Sequence, residues 1–287
     1  MPSPQRNGTC PCGSGKKYKK CCRGNFASAP HDWRADRERL VASGCEQQRE
    51  AVEEELARLG KTALAVLTIA VSGHSIASSG IEGTMKMAKP ACRPGCSFCC
   101  TIPVAVQAPE AFALAAFVRH TMNEDQGVDL VSRLRTHTRQ TALFATADEH
   151  TNSKVPCSLL TPQGRCSAYI ARPIACRAHC SLSRERCAEA ILSPEPAKAT
   201  VPVNARAKLI GLGVSEGLSV GLKRAGLDAK TYELNSALLR ALETPDGAAR
   251  WIGGEDIFAG CKTYSGAATA AIGQMTPKAL GTTSASI

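Results

Sequence analysis

Nine cysteines fall between Cys92 and Cys187, and their spacing is the main chemical signature of the chain. The stretch ACRPGCSFCC carries Cys92, Cys96, Cys99 and Cys100. After a spacer come Cys157, Cys166, Cys176, Cys180 and Cys187, in loops marked by Pro156, Pro162, Gly164 and Pro173. Thiols at such short intervals gather thiolates around a soft cation, whereas paired thiols left unbound are an oxidation liability. Residue type alone does not separate zinc from an iron-sulfur cluster, because both accept all-thiolate ligation. More than four clustered cysteines allow either one centre with spare thiols or two metals. His179, between Cys176 and Cys180, is a further candidate ligand ranked behind the thiols.

A second group lies in RNGTCPCGSGKKYKKCC, where Cys10, Cys12, Cys21 and Cys22 offer four ligands to one tetrahedral ion and Pro11, Gly13 and Gly15 permit a tight turn. So short a segment cannot bury a core, so metal binding would supply most of its folding free energy, on the order of 10 kcal/mol. A phosphate-loop reading of GSGKK fails, since Cys10 stands where the first glycine belongs and Lys17 follows Lys16 in place of Ser or Thr.

The N-terminal run resembles the SEC-C motif, the zinc-binding tail of the SecA translocation ATPase. The resemblance implies Zn2+ on Cys10, Cys12, Cys21 and Cys22, with Lys16, Lys17, Lys19 and Lys20 offsetting thiolate charge and facing an acidic protein, rRNA or the ribosome. Over roughly residues 90 to 190, the CxxxCxxCC stretch followed by CSLL and CSAYIARPIACR resembles the YkgJ-type family of zinc- or iron-chelating proteins. That likeness places Cys92, Cys96, Cys99, Cys100, Cys157, Cys166 and Cys176 on the family's cysteines, holding Zn2+ or an iron/iron-sulfur cluster. Tyr169, Arg172, Pro173 and Arg177 fall on its signature, while Cys180 and Cys187 lie outside it. Arg172 and Arg177 are expected to donate charge-assisted hydrogen bonds toward the sulfurs and so to act on the cofactor.

Two other classes of function fit the same residues. Cys92, Cys96 and Cys99, with Phe98 before the last thiol, coincide with the CxxxCxΦC pattern of radical S-adenosylmethionine enzymes, and the family is similar to the cysteine-rich part of flagellin lysine methylases. An iron-sulfur oxidoreductase or a protein-modifying enzyme is therefore an alternative. The absence of repeated strand-helix units speaks against it, as does Cys100 beside the iron position that must stay open. The third class is a ribosome- or Sec-associated factor recruited by the basic N-terminus. GVSEG at Gly213 to Gly217 matches a hydrolase nucleophile motif only formally, because its surroundings read as helix.

Helices must position these groups. Only 4% of residues are aromatic, and Ala, Leu, Arg and Glu dominate the long segments, so the expected fold is mainly α, with a loop-rich cysteine metal-binding core and a small N-terminal zinc module. An amphipathic helix is expected from Asp32 to a break at Gly60, and an apolar one from Thr62 to Ile76 ending near a structural His74. A short extended piece should precede a helix from Pro109 to about Thr121, with another from Val128 to Ala147. Further helices near 205–226, 229–243 and 246–258 would cover the metal domain. The organisation is thus residues 1–24, a zinc module; 25–89, a helical segment; 90–190, the cysteine domain; 191–262, a helical cover; and 263–287, a disordered tail rich in Ala, Thr, Ser and Gly.

The formal charge of +10 is uneven, because residues 1–24 hold six Lys/Arg and no acid. The N-terminus lacks a signal-like apolar core, and the apolar run Ala63 to Val71 is too short for a bilayer, so a cytoplasmic protein with no membrane partner and reduced thiols is expected.

Overall fold

The computed structural model describes residues 7–8, 17–20, 33–85 and 89–264, and the chain divides into two units, residues 1–40 and 41–287. In the first, Tyr18–Lys20 forms a single 3₁₀ turn, with Lys17, Lys19 and Lys20 exposed around it. Cys10, Cys12, Cys21 and Cys22 lie outside the described residues, as do residues 265–287 of the tail.

The architecture is mainly α. The helices are α1 (Trp33–Leu59), α2 (Ala63–Met85), α3 (Ala108–Thr121), α4 (Glu124–Thr141), α5 (Ala147–Ser153), α6 (Ile174–Ala178), α7 (Arg184–Leu192), α8 (Ala205–Arg224), α9 (Leu234–Glu243) and α10 (Gly247–Ile252). Two three-residue strands, β1 (Ala105–Gln107) and β2 (Thr231–Glu233), pair antiparallel with Val106 opposite Tyr232. The extended piece before α3 was expected, whereas β2 and its pairing were not, because three residues carry no usable period. Helix α4 begins four residues before the expected Val128. Asn123 accepts from the Gln126 N–H (2.9 Å) and Gln126 returns the bond to the Asn123 N–H (3.1 Å), a reciprocal cap that outranks the apolar pattern.

In the larger unit α2 is a central element. Val66, Ile69, Ala70, Gly73, Ala77 and Ile81 are buried against α3, α6 and α8, while Leu64 and Val71 face outward. By length and composition this helix is sufficient to cross a bilayer, which the run Ala63 to Val71 taken alone did not indicate. Phe112 of α3 meets Phe258 at 5.1 Å and Trp251 at 6.1 Å between ring centroids, and Phe258 stacks on Tyr232 at 4.9 Å, so the aromatic core joins α3, β2 and the C-terminal turns.

Helix α8 gives its glycines a structural purpose. A Cβ on Gly213 would lie 2.3 Å from the Val41 carbonyl oxygen, and one on Gly217 2.2 Å from that of Cys45. The GVSEG stretch therefore lets the α1 and α8 backbones touch, and Ser215 sits mid-helix without a nucleophile turn. Gly217→Ala is expected to cost about 1–3 kcal/mol of unfolding free energy through forced separation of the helices, measured by urea denaturation; an unchanged midpoint would contradict this packing.

Burial holds three imidazoles neutral: His74, His137 and His150 are each pushed down to about 4 from 6.5. A base depressed in the folded state stabilises fully above the unfolded value and loses that contribution as pH falls from about 6.5 toward 4. Glu110 acts in the opposite direction, since burial raises its pKa and protonation relieves it. Burial lowers His179 as well, and four imidazoles against one carboxyl leave a net loss of stability on acidification, bounded by about 1.4 kcal/mol per pH unit per proton. Urea midpoints should fall between pH 7 and 5, and His137→Gln should make the fall shallower.

Candidate metal centre

The cysteine-bearing loops contain little regular structure and are held by polar groups of the core helices. Glu110, in the first turn of α3 and 4% exposed, accepts from the Gln107 N–H (3.2 Å) through one oxygen and from the Ile174 N–H (2.9 Å) through the other. One carboxylate thus caps α3 and pins the start of α6, which carries Cys176. Asn235, on α9, accepts from the Ser158 N–H (2.9 Å), and Arg133 on α4 donates to the Leu160 carbonyl (3.0 Å), fixing the loop after Cys157. The Cys157 N–H donates to the Cys100 carbonyl (2.7 Å) and joins the two cysteine groups directly.

The first group runs through successive turns, with the Cys96 N–H bonded to Arg93 O (3.0 Å), Cys100 N–H to Ser97 O (2.9 Å) and Ile102 N–H to Cys99 O (3.1 Å). In the second, Cys166 forms a bridge with Leu160, and the backbone amides two residues on, at Leu159 and Ala168, act to lower the Cys157 and Cys166 pKa values. Amide dipoles so placed favour the thiolate, the form that binds metal. Burial opposes them: it raises the Cys157 and Cys166 pKa values and pushes Cys176 up to about 12, with the neighbouring thiols adding to each shift. Cys99 is raised chiefly by its hydrogen bond with the adjacent Cys100 and then by burial.

Arg172 is the cation of this group. Its guanidinium lies over the Tyr169 ring, 4.1 Å from the centroid, and its charge lowers the pKa of Cys99, Cys166, Cys176 and Cys180. Its buried Nε has no hydrogen-bond partner. Arg177 is engaged elsewhere: it donates to the carbonyls of Arg172 (2.8 Å) and Ile170 and to the Ser78 hydroxyl (3.0 Å), bracing the 170–172 loop against α2. His179 is the C-cap of α6, and burial lowers its pKa.

The donor set and the unpaired Arg172 N–H suit an anionic metal-thiolate centre. As the side chains stand, no three His, Cys, Asp or Glu among the described residues are gathered closely enough to hold an ion, so ligation would draw the thiols inward. A hollow of about 390 Å³ lined by Val118, Met122, Gly127, Val131 and Leu242 shares no residue with the thiols.

Sequence reasoning found the thiols but missed Glu110, Asn235 and Arg133. A Glu three residues into a helix after Gln107 signals a capping box; nothing local signals its second bond, 64 residues away. Residues 6–24 match the SEC-C motif. A UPF0225 protein of Serratia proteamaculans (strain 568) is 81% identical over 21 residues, which cover 7% of this chain and 14% of the relative. No solved structure matches.

Glu110→Ala is expected to lower unfolding free energy by about 1–3 kcal/mol, because it leaves the Ile174 N–H buried without an acceptor. Urea denaturation checks the cost, and faster alkylation of Cys176 than of Cys261 checks that the damage is local to α6.

Proposed function

We propose that this chain is a cytoplasmic metal-binding protein in which the SEC-C stretch holds Zn2+ on Cys10, Cys12, Cys21 and Cys22 and the YkgJ-like region holds zinc or an iron-sulfur centre. The observation that supports the central site is Arg172, whose buried Nε has no hydrogen-bond partner and whose charge lowers the pKa of Cys99, Cys166, Cys176 and Cys180. Neutral buried thiols gain little from that placement, whereas thiolates on a metal gain its charge and its hydrogen bond. Cys99, Cys166 and Cys176 are the ligands that the Arg172 charge favours, with Cys100 beside Cys99 and Cys157 bonded through its N–H to the Cys100 carbonyl. The metal would supply charge to neutralise the thiolates and join the two loops. Arg172 would stabilise the resulting anion, and Arg177 would hold the Arg172 loop in place.

The exposed Lys17, Lys19 and Lys20 support a docking role for the N-terminal module on an acidic protein or rRNA, through short-range charge attraction that salt screens. One preparation tests both parts. Protein purified without oxygen is analysed for iron, sulfide and zinc, and its sedimentation with ribosomes is followed at low salt. The Cys99→Ser/Cys100→Ser chain should lose the central metal and keep the N-terminal zinc. Removal of residues 1–24 should do the reverse and abolish co-sedimentation. Retention of both metals by the Cys99→Ser/Cys100→Ser chain would refute the ligand assignment.

A further inference from the structure

Positive charge is concentrated on the loops that carry the thiols. Residues 89–107 and 154–187 hold eight Lys/Arg and a single acid, Glu185. Residues 1–24 supply +6 of the formal +10 and these loops a further +7, so the rest of the chain is net acidic. Elsewhere on the larger unit the arginines have carboxylate partners: Arg49 pairs with Glu53, Arg133 with Asp129 and Arg135 with Glu243. Arg93, Arg165 and Arg184 are exposed, and among the described residues none of the three forms a salt bridge or donates a side-chain hydrogen bond. They are distinct from Arg172 and Arg177, which serve the thiols and their loop.

The turns of residues 93–100 bring these cations onto one face. The Arg93 carbonyl closes the first turn by accepting from the Cys96 N–H (3.0 Å). The turn before Arg165 packs on the same stretch, since a Cβ on Gly164 would lie 3.5 Å from the Ser97 hydroxyl oxygen. Arg184 rests over the next ring, that of Phe98, 5.2 Å from its centroid. The segment leading into Arg184 is tied there by Ala91 N–H to Ser181 O (2.8 Å) and Ser181 N–H to the Cys92 sulfur (3.1 Å). Flat and apolar side chains are exposed on the same loops: Tyr169, which carries Arg172 on its ring, is 38% exposed, Ile102 41% and Ile170 79%.

We infer that this face binds single-stranded RNA, with Arg93, Arg165 and Arg184 on phosphates and Phe98 and Tyr169 beside the bases. The site is separate from the basic N-terminal module and does not depend on whether the thiols hold a metal. Unpaired guanidiniums attract phosphates through charge and forked hydrogen bonds. A carboxylate-rich partner would answer that charge and nothing else on the face. The rings and the exposed isoleucines call for a strand that also offers flat, weakly polar surfaces, as unstacked bases do. A duplex hides its base faces, whereas RNA presents them in loops and ends, where they stack on aromatic rings and on guanidinium planes.

The test uses the full chain, purified without oxygen, and a fluorescein-labelled uridine RNA of about 15 nucleotides, long enough for one such groove. Binding is followed by fluorescence anisotropy over a range of salt. Arg93→Gln/Arg165→Gln/Arg184→Gln should bind at least about tenfold more weakly and flatten the slope of log affinity against log salt by about 2, the loss of three phosphate contacts on a single strand. Phe98→Leu/Tyr169→Leu should weaken binding by about fivefold or more and leave that slope unchanged, because stacking releases no counterions. Unchanged affinity in the arginine variant, or tighter binding of duplex RNA of the same length, would overturn the inference. So would displacement of the RNA by polyglutamate of equal charge, which would point to an acidic protein partner. A measurement on the unaltered protein does not depend on any variant folding: photocrosslinking to RNA carrying 4-thiouridine, with the modified peptides located by mass spectrometry. Crosslinks should fall within residues 93–102 or 165–184; crosslinks confined to residues 1–24 would overturn the site.

Discussion

The carboxylate of Glu110 is the contact on which the arrangement of the thiols depends. Its two oxygens close the first turn of α3 and hold the first N–H of α6, joining a core helix to the segment that presents Cys176. Burial makes that carboxyl costly to ionise, and the two amide donors partly compensate. Glu233 is the counterpart on the other strand. It caps α9 through the N–H groups of Asn235 (3.0 Å) and Ser236 (2.9 Å) and also takes the Asn235 side-chain amide (2.8 Å), leaving the Asn235 oxygen for Ser158. Loops too poor in apolar residues to bury a core of their own are thus held by polar caps of helices that do.

Charge is the second constraint. Burial and mutual repulsion keep these thiols protonated in the chain alone, and one guanidinium cannot offset several thiolates. A divalent cation could, at the cost of releasing the thiol protons, so metal binding at these thiols would be coupled to pH. The same balance explains why Arg172 and Arg177 have separate tasks although they lie five residues apart. Arg172 keeps a free N–H and an aromatic face near the sulfurs, while Arg177 spends its donors on carbonyls and Ser78.

Much of the helical framework was legible in the chain. The break at Gly60 separates α1 from α2, with Gly60 at a positive φ of 65° that favours glycine, and α3 ends at Thr121 as its apolar face implies. The glycines of α8 were visible but not interpretable, because what they admit is the backbone of α1, more than 160 residues earlier, as Gly217 against Cys45 shows. Segments without a period were the least legible. The stretch expected to be helical from residue 229 opens as strand β2, and that after 252 closes as turns around Phe258, because pairing with β1 and the aromatic core outweigh local helix propensity.

The sequence by itself determined which groups are available: the thiols and their spacing, the basic N-terminal stretch with its SEC-C match, and a mainly helical scaffold, all properties of residue type and short-range order. Only the tertiary structure decided which cysteine-bearing segments are joined. Cys157 reaches Cys100 through a backbone bond, Cys92 reaches the segment of Cys180 and Cys187 through Ser181, and Cys176 is placed by Glu110. Those contacts span tens of residues and are set by how α2, α3 and α8 pack, where burial of apolar faces dictates the position of loops that carry little local signal of their own.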